Sequence, residues 1–175
     1  METVKGPDSS HEQTLIRMVD QYQTALLQMC YMDLHDRALA EDAVQETFLK
    51  AYKSMDTFRG DCSEKTWLMR IAVNTCRDMR RSAWFRHVDR RTDIEGIPSW
   101  TPQIDGDDDA EEVARAVVKL PARYREVILL YYDQDMTLKE IADVLGIGIS
   151  SVSERLKTAR TKLRKALEKE GAYGR

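Results

Sequence analysis

Six basic side chains crowd one short stretch near the C-terminus: Arg155, Lys157, Arg160, Lys162, Arg164 and Lys165. Val152, Leu156, Ala159, Leu163 and Ala166 recur among them at three and four residues. On a helix that spacing gathers the apolar residues on one stripe and leaves the cations on the outward face. Cations in such a row can neutralise phosphates, and the first residues of such a helix can lie at base edges in a major groove. Nothing in the chain offers a comparable arrangement for catalysis. There is no serine, histidine and carboxylate motif, no phosphate-binding glycine loop and no metal-ligand spacing. His11, His35 and His87 are isolated, and Cys30, Cys62 and Cys76 form no C-x-x-C pair. The expectation is a protein that is not an enzyme, with no metal and no cofactor.

The elements that must position the basic row run from Met136 to Lys169. Thr137 can cap a helix, and Glu140 completes a capping box. Leu138, Ile141, Ala142 and Leu145 form its apolar face. Gly146-Ile147-Gly148 breaks the pattern, because glycine accepts the positive φ of a sharp turn. Ser150 or Ser151 can cap the second helix. Small Ala142 permits a close crossing, and Val152 plugs the second helix onto the first. This is the pattern of a DNA-binding helix-turn-helix. A helical hairpin with a solvated basic face is the plainer reading, but it leaves the turn glycine, the small residue and the plug without a role.

Upstream, an apolar stripe of Leu15, Met18, Val19, Tyr22, Leu26, Met29 and Cys30 predicts a helix from Glu12 to about Met32, after a frayed tail over residues 1–10. A second helix is expected from about Leu39 to Ser54, with Ala40, Val44, Phe48, Ala51, Tyr52 and Met55 inward. Its acidic first half suits a helix N-terminus without any partner. Asp56 to Cys62 reads as a loop turning at Gly60, and Ser63 can cap the helix that follows. There Trp67, Leu68, Ile71, Ala72, Thr75, Cys76 and Met79 keep helical spacing, while Arg70, Asn74, Arg77, Arg80 and Arg81 lie off the stripe. Arginines on one side of a helix make a plausible nucleic-acid surface. Residues 91–109, with their glycines, prolines and aspartates, read as a linker. Helices resume over Ala110 to Lys119 and Ala122 to Tyr132, with Pro121 in the first turn of the latter. No strand-like alternation occurs. The expected fold class is all-α, with an N-terminal domain over 11–90 and a C-terminal one over 110–175.

The net charge of −3, from 27 basic and 30 acidic residues, does not itself suggest a nucleic-acid partner. Its segregation does. Ser150 to Lys169 holds 7 basic and 2 acidic residues, Lys65 to Arg91 holds 8 and 2, and Gln103 to Glu112 holds 6 acidic residues and no basic one. No apolar run approaches the roughly 20 residues of a membrane helix, and the polar start lacks a signal-peptide core. Cytoplasmic residence with reduced thiols is the expectation.

The quoted stretches, in their order, resemble the bacterial sigma-70 family, and within it the short extracytoplasmic-function sigma factors. Ala40-Glu-Asp-Ala-Val-Gln-Glu-Thr-Phe-Leu-Lys-Ala-Tyr52 is similar to the core-polymerase-binding helix. Phe58-Arg-Gly60, Trp67-Leu-Met-Arg-Ile-Ala-Val-Asn74, Arg77-Asp78 and Arg80-Arg81 resemble the promoter-melting region. Leu120-Pro-Ala-Arg-Tyr-Arg-Glu-Val127, Glu140-Ile-Ala142, Leu145-Gly146 and Arg155-Leu156 resemble the promoter-reading domain. The resemblance implies a transcription initiation factor. Asp42, Gln45, Glu46 and Phe48 would meet core RNA polymerase. Phe58, Arg59, Asn74, Arg77, Arg80 and Arg81 would meet the −10 element of promoter DNA. Ser150, Ser151, Glu154, Arg155 and Lys157 would read the −35 element, with Arg160 and Arg164 on phosphate. It also implies a cognate anti-sigma factor, often membrane-anchored in this family. A conventional helix-turn-helix regulator would explain Met136 to Lys169 but not the acidic helix at Ala40 to Tyr52.

Overall fold

The structure, a computed structural model, describes residues 8–82 and 108–171. Every regular element among them is helical, as the apolar periodicity predicts. Contacts divide the chain into two compact units, with the division between Met79 and Arg80. Most of the expected linker, residues 91–107, lies outside the described residues.

The first unit contains α1 (Asp8–Leu34), α2 (Arg37–Lys53), a 3-10 turn (Met55–Thr57) and, up to Met79, α3 (Glu64–Arg81). Helix α1 starts four residues before the expected Glu12. The Thr14 hydroxyl donates to the Ser10 carbonyl at 2.9 Å, and His11 lies 3.2 Å from Asp56. The second contact spans 45 positions (56 − 11), so no local pattern announces it. His35, at φ 58, reverses the chain between α1 and α2. Asp36 then caps α2 by accepting the Leu39 amide at 3.0 Å. Met18, Leu26, Met29, Cys30, Phe48, Leu68, Met69, Val73 and Cys76 fill the core.

The second unit contains α4 (Asp108–Val118), α5 (Ala122–Ile128), a π-type turn (Leu129–Asp133), α6 (Leu138–Leu145) and α7 (Ile149–Gly171). Helix α4 begins at Asp108 instead of Ala110, so the last two residues of the expected linker are helical; acidic residues favour this end of a helix. Past Ile128 the Gln134 amide bonds the Leu129 carbonyl five residues back, at 3.0 Å, widening the end of the expected Ala122 to Tyr132 helix. Val127, Leu130, Ile141, Val144, Val152 and Ala159 are all but inaccessible and form this unit's core.

Candidate nucleic-acid interface

Helix α6 opens with the anticipated capping box. The Thr137 hydroxyl accepts the Glu140 amide at 3.2 Å, and the Glu140 carboxylate accepts the Thr137 amide at 2.8 Å. Gly146 ends the helix at φ 66, the left-handed conformation that glycine adopts without a Cβ penalty. The Ile147 amide still reaches the Ala142 carbonyl at 3.2 Å. Val152, wholly buried, pins α7 against α6. Helix α7 begins at Ile149, ahead of both expected capping serines, because the Gly148 carbonyl already accepts the Val152 amide at 3.1 Å. Ser150 and Ser151 therefore sit inside its first turn, both exposed. Exposed Ile149 precedes them.

Glu154 and Lys157 are exposed and Arg155 is half-buried. At about 100° per residue, Ser151 and Arg155 share one flank of the helix, Lys157, Arg160 and Arg164 share another, and Glu154 lies between. Arg164 points into solvent, 3.9 Å from Glu168. Arg160 is held differently: its Nε donates to the Tyr132 hydroxyl at 2.7 Å, and its guanidinium stands 5.4 and 5.5 Å from the Tyr131 and Tyr132 ring centres. Tyr132 itself is 55% exposed. Its neighbour Tyr131, on the same helical turn, is the only sequence signal that an aromatic pair awaits a cation there.

In the first unit, the Asp56–Ser63 loop stands between two fixed ends. The 3-10 turn closes one, with the Phe58 amide on the Met55 carbonyl at 3.1 Å. Ser63 closes the other by accepting the Thr66 amide at 3.1 Å. Phe58 stacks on Trp67 with ring centres 4.7 Å apart. Trp67 is buried, which suits a core residue. Arg59, Gly60 and Asp61 are exposed at the tip, with Gly60 at φ 77. On α3, Asn74 and Arg81 are exposed and Arg77 and Arg80 are half-buried.

On α2, Asp42, Gln45 and Glu46 are exposed on one face. Phe48 is not part of it: at 7% exposure it belongs to the core. One residue is 100° of helix, enough to turn Phe48 inward and its neighbour outward. Leu49, 53% exposed, continues the face three residues beyond Glu46. The apolar stripe already places Phe48 inward, against its place in the polymerase contact that the resemblance implies, and Leu49 stands in the quoted motif without a role of its own. Among the described residues no group of His, Cys, Asp and Glu could hold a metal ion, and no helix is long and apolar enough to cross a membrane.

A glycine-turned helix pair with a polar, partly cationic outer face, preceded by a separate helical unit, defines a DNA-binding protein of two helical units. Residues 18–86 match sigma-70 region 2, and residues 116–165 match sigma-70, region 4. The ECF RNA polymerase sigma factor SigW of Bacillus subtilis is 32% identical over 177 residues, covering 94% of each chain. The ECF RNA polymerase sigma factor SigL of Mycobacterium tuberculosis is 33% identical over 175 residues, covering 98% of each. Among solved structures, CnrH in complex with the cytosolic domain of CnrY superposes with TM-score 0.67 at 28% identity, over 90% of this chain and 89% of that one. The sigma factor RpoE of Bartonella quintana, in complex with the anti-sigma factor NepR, shares the fold with TM-score 0.70 at 24% identity, over 91% and 97%. The chain belongs to the sigma-70 family, among its extracytoplasmic-function (ECF) members. It is a transcription initiation factor, of a family that binds core RNA polymerase and promoter DNA and is not catalytic.

Proposed function

We propose that three surfaces divide the work of initiation. Exposed Asp42, Gln45 and Glu46 on α2, extended by Leu49, engage core RNA polymerase. An apolar side chain beside acids gives such a contact a desolvated centre within a charged rim. The Asp56–Ser63 loop takes up an unstacked base of the −10 element, with Phe58 fixing the loop and Arg59 at its tip. Asn74, Arg77, Arg80 and Arg81 follow the strand along α3. Unstacking costs a few kcal/mol, which a fitted pocket offsets. Ser150, Ser151, Glu154, Arg155 and Lys157 read the −35 element, while Arg164 and the outer edge of Arg160 meet phosphate.

The observation that carries this reading is the partition on α7: Val152, Leu156 and Ala159 are buried, while Ser150, Ser151, Glu154 and Lys157 face outward. A regulatory partner is part of the proposal. CnrH and the Bartonella quintana sigma factor are both seen with partner proteins, and we assign this chain a cognate anti-sigma factor. The protein acts in the cytoplasm, catalyses no reaction itself and needs no cofactor. Capture of core polymerase by the purified chain, followed by run-off transcription, tests the whole reading. A chain that binds the −35 duplex but neither captures core enzyme nor supports run-off would instead be a conventional helix-turn-helix regulator.

A further inference from the structure

Four side-chain contacts converge on the Asp56–Ser63 loop and the start of α3, and two of them come from α1. The Arg17 guanidinium grips Glu64 with both amino groups, at 2.9 and 2.6 Å. His11 reaches Asp56 at 3.2 Å. Phe58 lies on Trp67, and Ser63 caps the Thr66 amide. Glu64 is the first residue of α3, directly after the loop, and Asp56 is the loop's first residue. Helix α1 thus holds the loop at both ends and leaves Arg59, Gly60 and Asp61 exposed between them.

As a stabilising device this is a poor use of charge. The Arg17 and Glu64 side chains are 50% and 28% exposed, and ion pairs so placed add little to stability. Their value is geometric. A two-pronged guanidinium–carboxylate contact fixes orientation as well as distance. A loop ordered before binding also loses less entropy when it captures its ligand.

We propose that Arg17, acting through Glu64, is a positioning residue for −10 recognition: it sets the angle at which the loop presents its tip to the unstacked base. The inference rests on the reading of that loop as the base pocket. The plainer role for Glu64 is that of an acid suiting the N-terminus of α3. The two roles separate on exchange of the charges. Arg17→Glu with Glu64→Arg rebuilds the link but places a cation at a helix N-terminus, where it destabilises.

The test uses the full chain assembled with core polymerase. Promoters carry each of the four bases at the −10 position under study, and opening is followed by the fluorescence of 2-aminopurine placed beside it. The readout is the ratio of opening on the preferred base to opening on the others. Arg17→Ala and Glu64→Ala should each lower that ratio by about threefold to tenfold, and the double variant should lose no more than either single one. The exchanged pair should regain most of the ratio while melting at a lower temperature. A role in stability alone would reduce opening on all promoters alike and leave the ratio unmoved. Unchanged ratios in both single variants, additive losses in the double variant, or an exchanged pair as unselective as the singles would each overturn the proposal. Arg59→Ala tests the underlying reading separately. If it leaves the ratio intact, the loop is not the base pocket and the proposal falls with it. If it lowers the ratio while Arg17→Ala does not, only the positioning role is lost.

Discussion

Glu64 shows how one carboxylate answers to partners that sequence spacing does not reveal. Hydrogen bonds from Arg17 hold its pKa below the ordinary 4.5; burial opposes them, and Arg17's charge and then Tyr22 add smaller downward pulls. A carboxyl whose folded pKa is depressed contributes stability above its unfolded value and loses it as pH falls through the folded one. The melting temperature should therefore hold no Glu64-dependent slope between pH 7 and about 5, then fall below about 4.5, and Glu64→Gln should lack that component of the acid slope. Phe48 and Leu49 are adjacent and opposite in fate. Phe48→Ala should lose about 3–5 kcal/mol in urea unfolding, as large-to-small changes in a core do. Leu49→Ala should stay within about 0.5 kcal/mol in the same titration, yet weaken core polymerase binding by more than about 1 kcal/mol if it is the contact's centre. On α7, Arg155→Ala and Lys157→Ala should each cost roughly 1–3 kcal/mol on the −35 sequence. Arg160→Ala should weaken all sequences alike and lower the salt slope by about one. Binding isotherms at several salt concentrations distinguish these outcomes.

At the scale of elements, α2 presents two explanations for the same acids. Asp42, Gln45 and Glu46 lie along one exposed face, and Glu46 is 3.8 Å from Lys50. If the acids serve only the helix dipole and such local pairs, Glu46→Lys should cost at most about 1 kcal/mol of stability and spare the complex. If they form the polymerase face, the same change should abolish co-elution with core enzyme while circular dichroism is unchanged. The second outcome is expected, because a charge reversal at a docked surface adds repulsion to the lost contact. The helix pair α6–α7 depends on shorter-range causes. Its capping box, its left-handed Gly146 and its plug Val152 are all set within a few residues, so this element was legible from spacing alone. Only its start was misplaced: the Gly148 carbonyl takes up the Val152 amide and moves Ser150 and Ser151 from the cap into the first turn.

For the whole molecule, the sequence between the units sets a testable limit. Residues 91–107, the part of the expected linker that precedes α4, could span at most about 60 Å when fully extended, and as a relaxed coil about 25 Å. Two promoter elements two helical turns apart have centres separated by roughly 70 Å. With the units covering part of that distance, the remaining gap exceeds the coil and lies within the extended reach. Deleting about eight residues between Ile97 and Asp108 should leave both units folded and each able to bind its own partner. The same deletion should abolish run-off transcription at normal element spacing. Full activity would show that linker length does not couple the two elements.

Local causes made most of this protein readable without coordinates. A repeat of 3.6 residues assigns an apolar stripe, a capping box closes over three residues, and a turn glycine needs only its own φ. These determined the helices, the helix-turn-helix and, through the order of their motifs, the family resemblance. The tertiary structure decided what lies at the edges of the stripes and across the chain. It left Leu49 exposed beside the inward Phe48 that the stripe already assigns, because only packing defines how wide the stripe is. It brought Arg160 to Tyr132 across 28 positions and Arg17 to Glu64 across 47. Such pairings have no period in the sequence: they exist only once separate helices have packed and their surfaces meet.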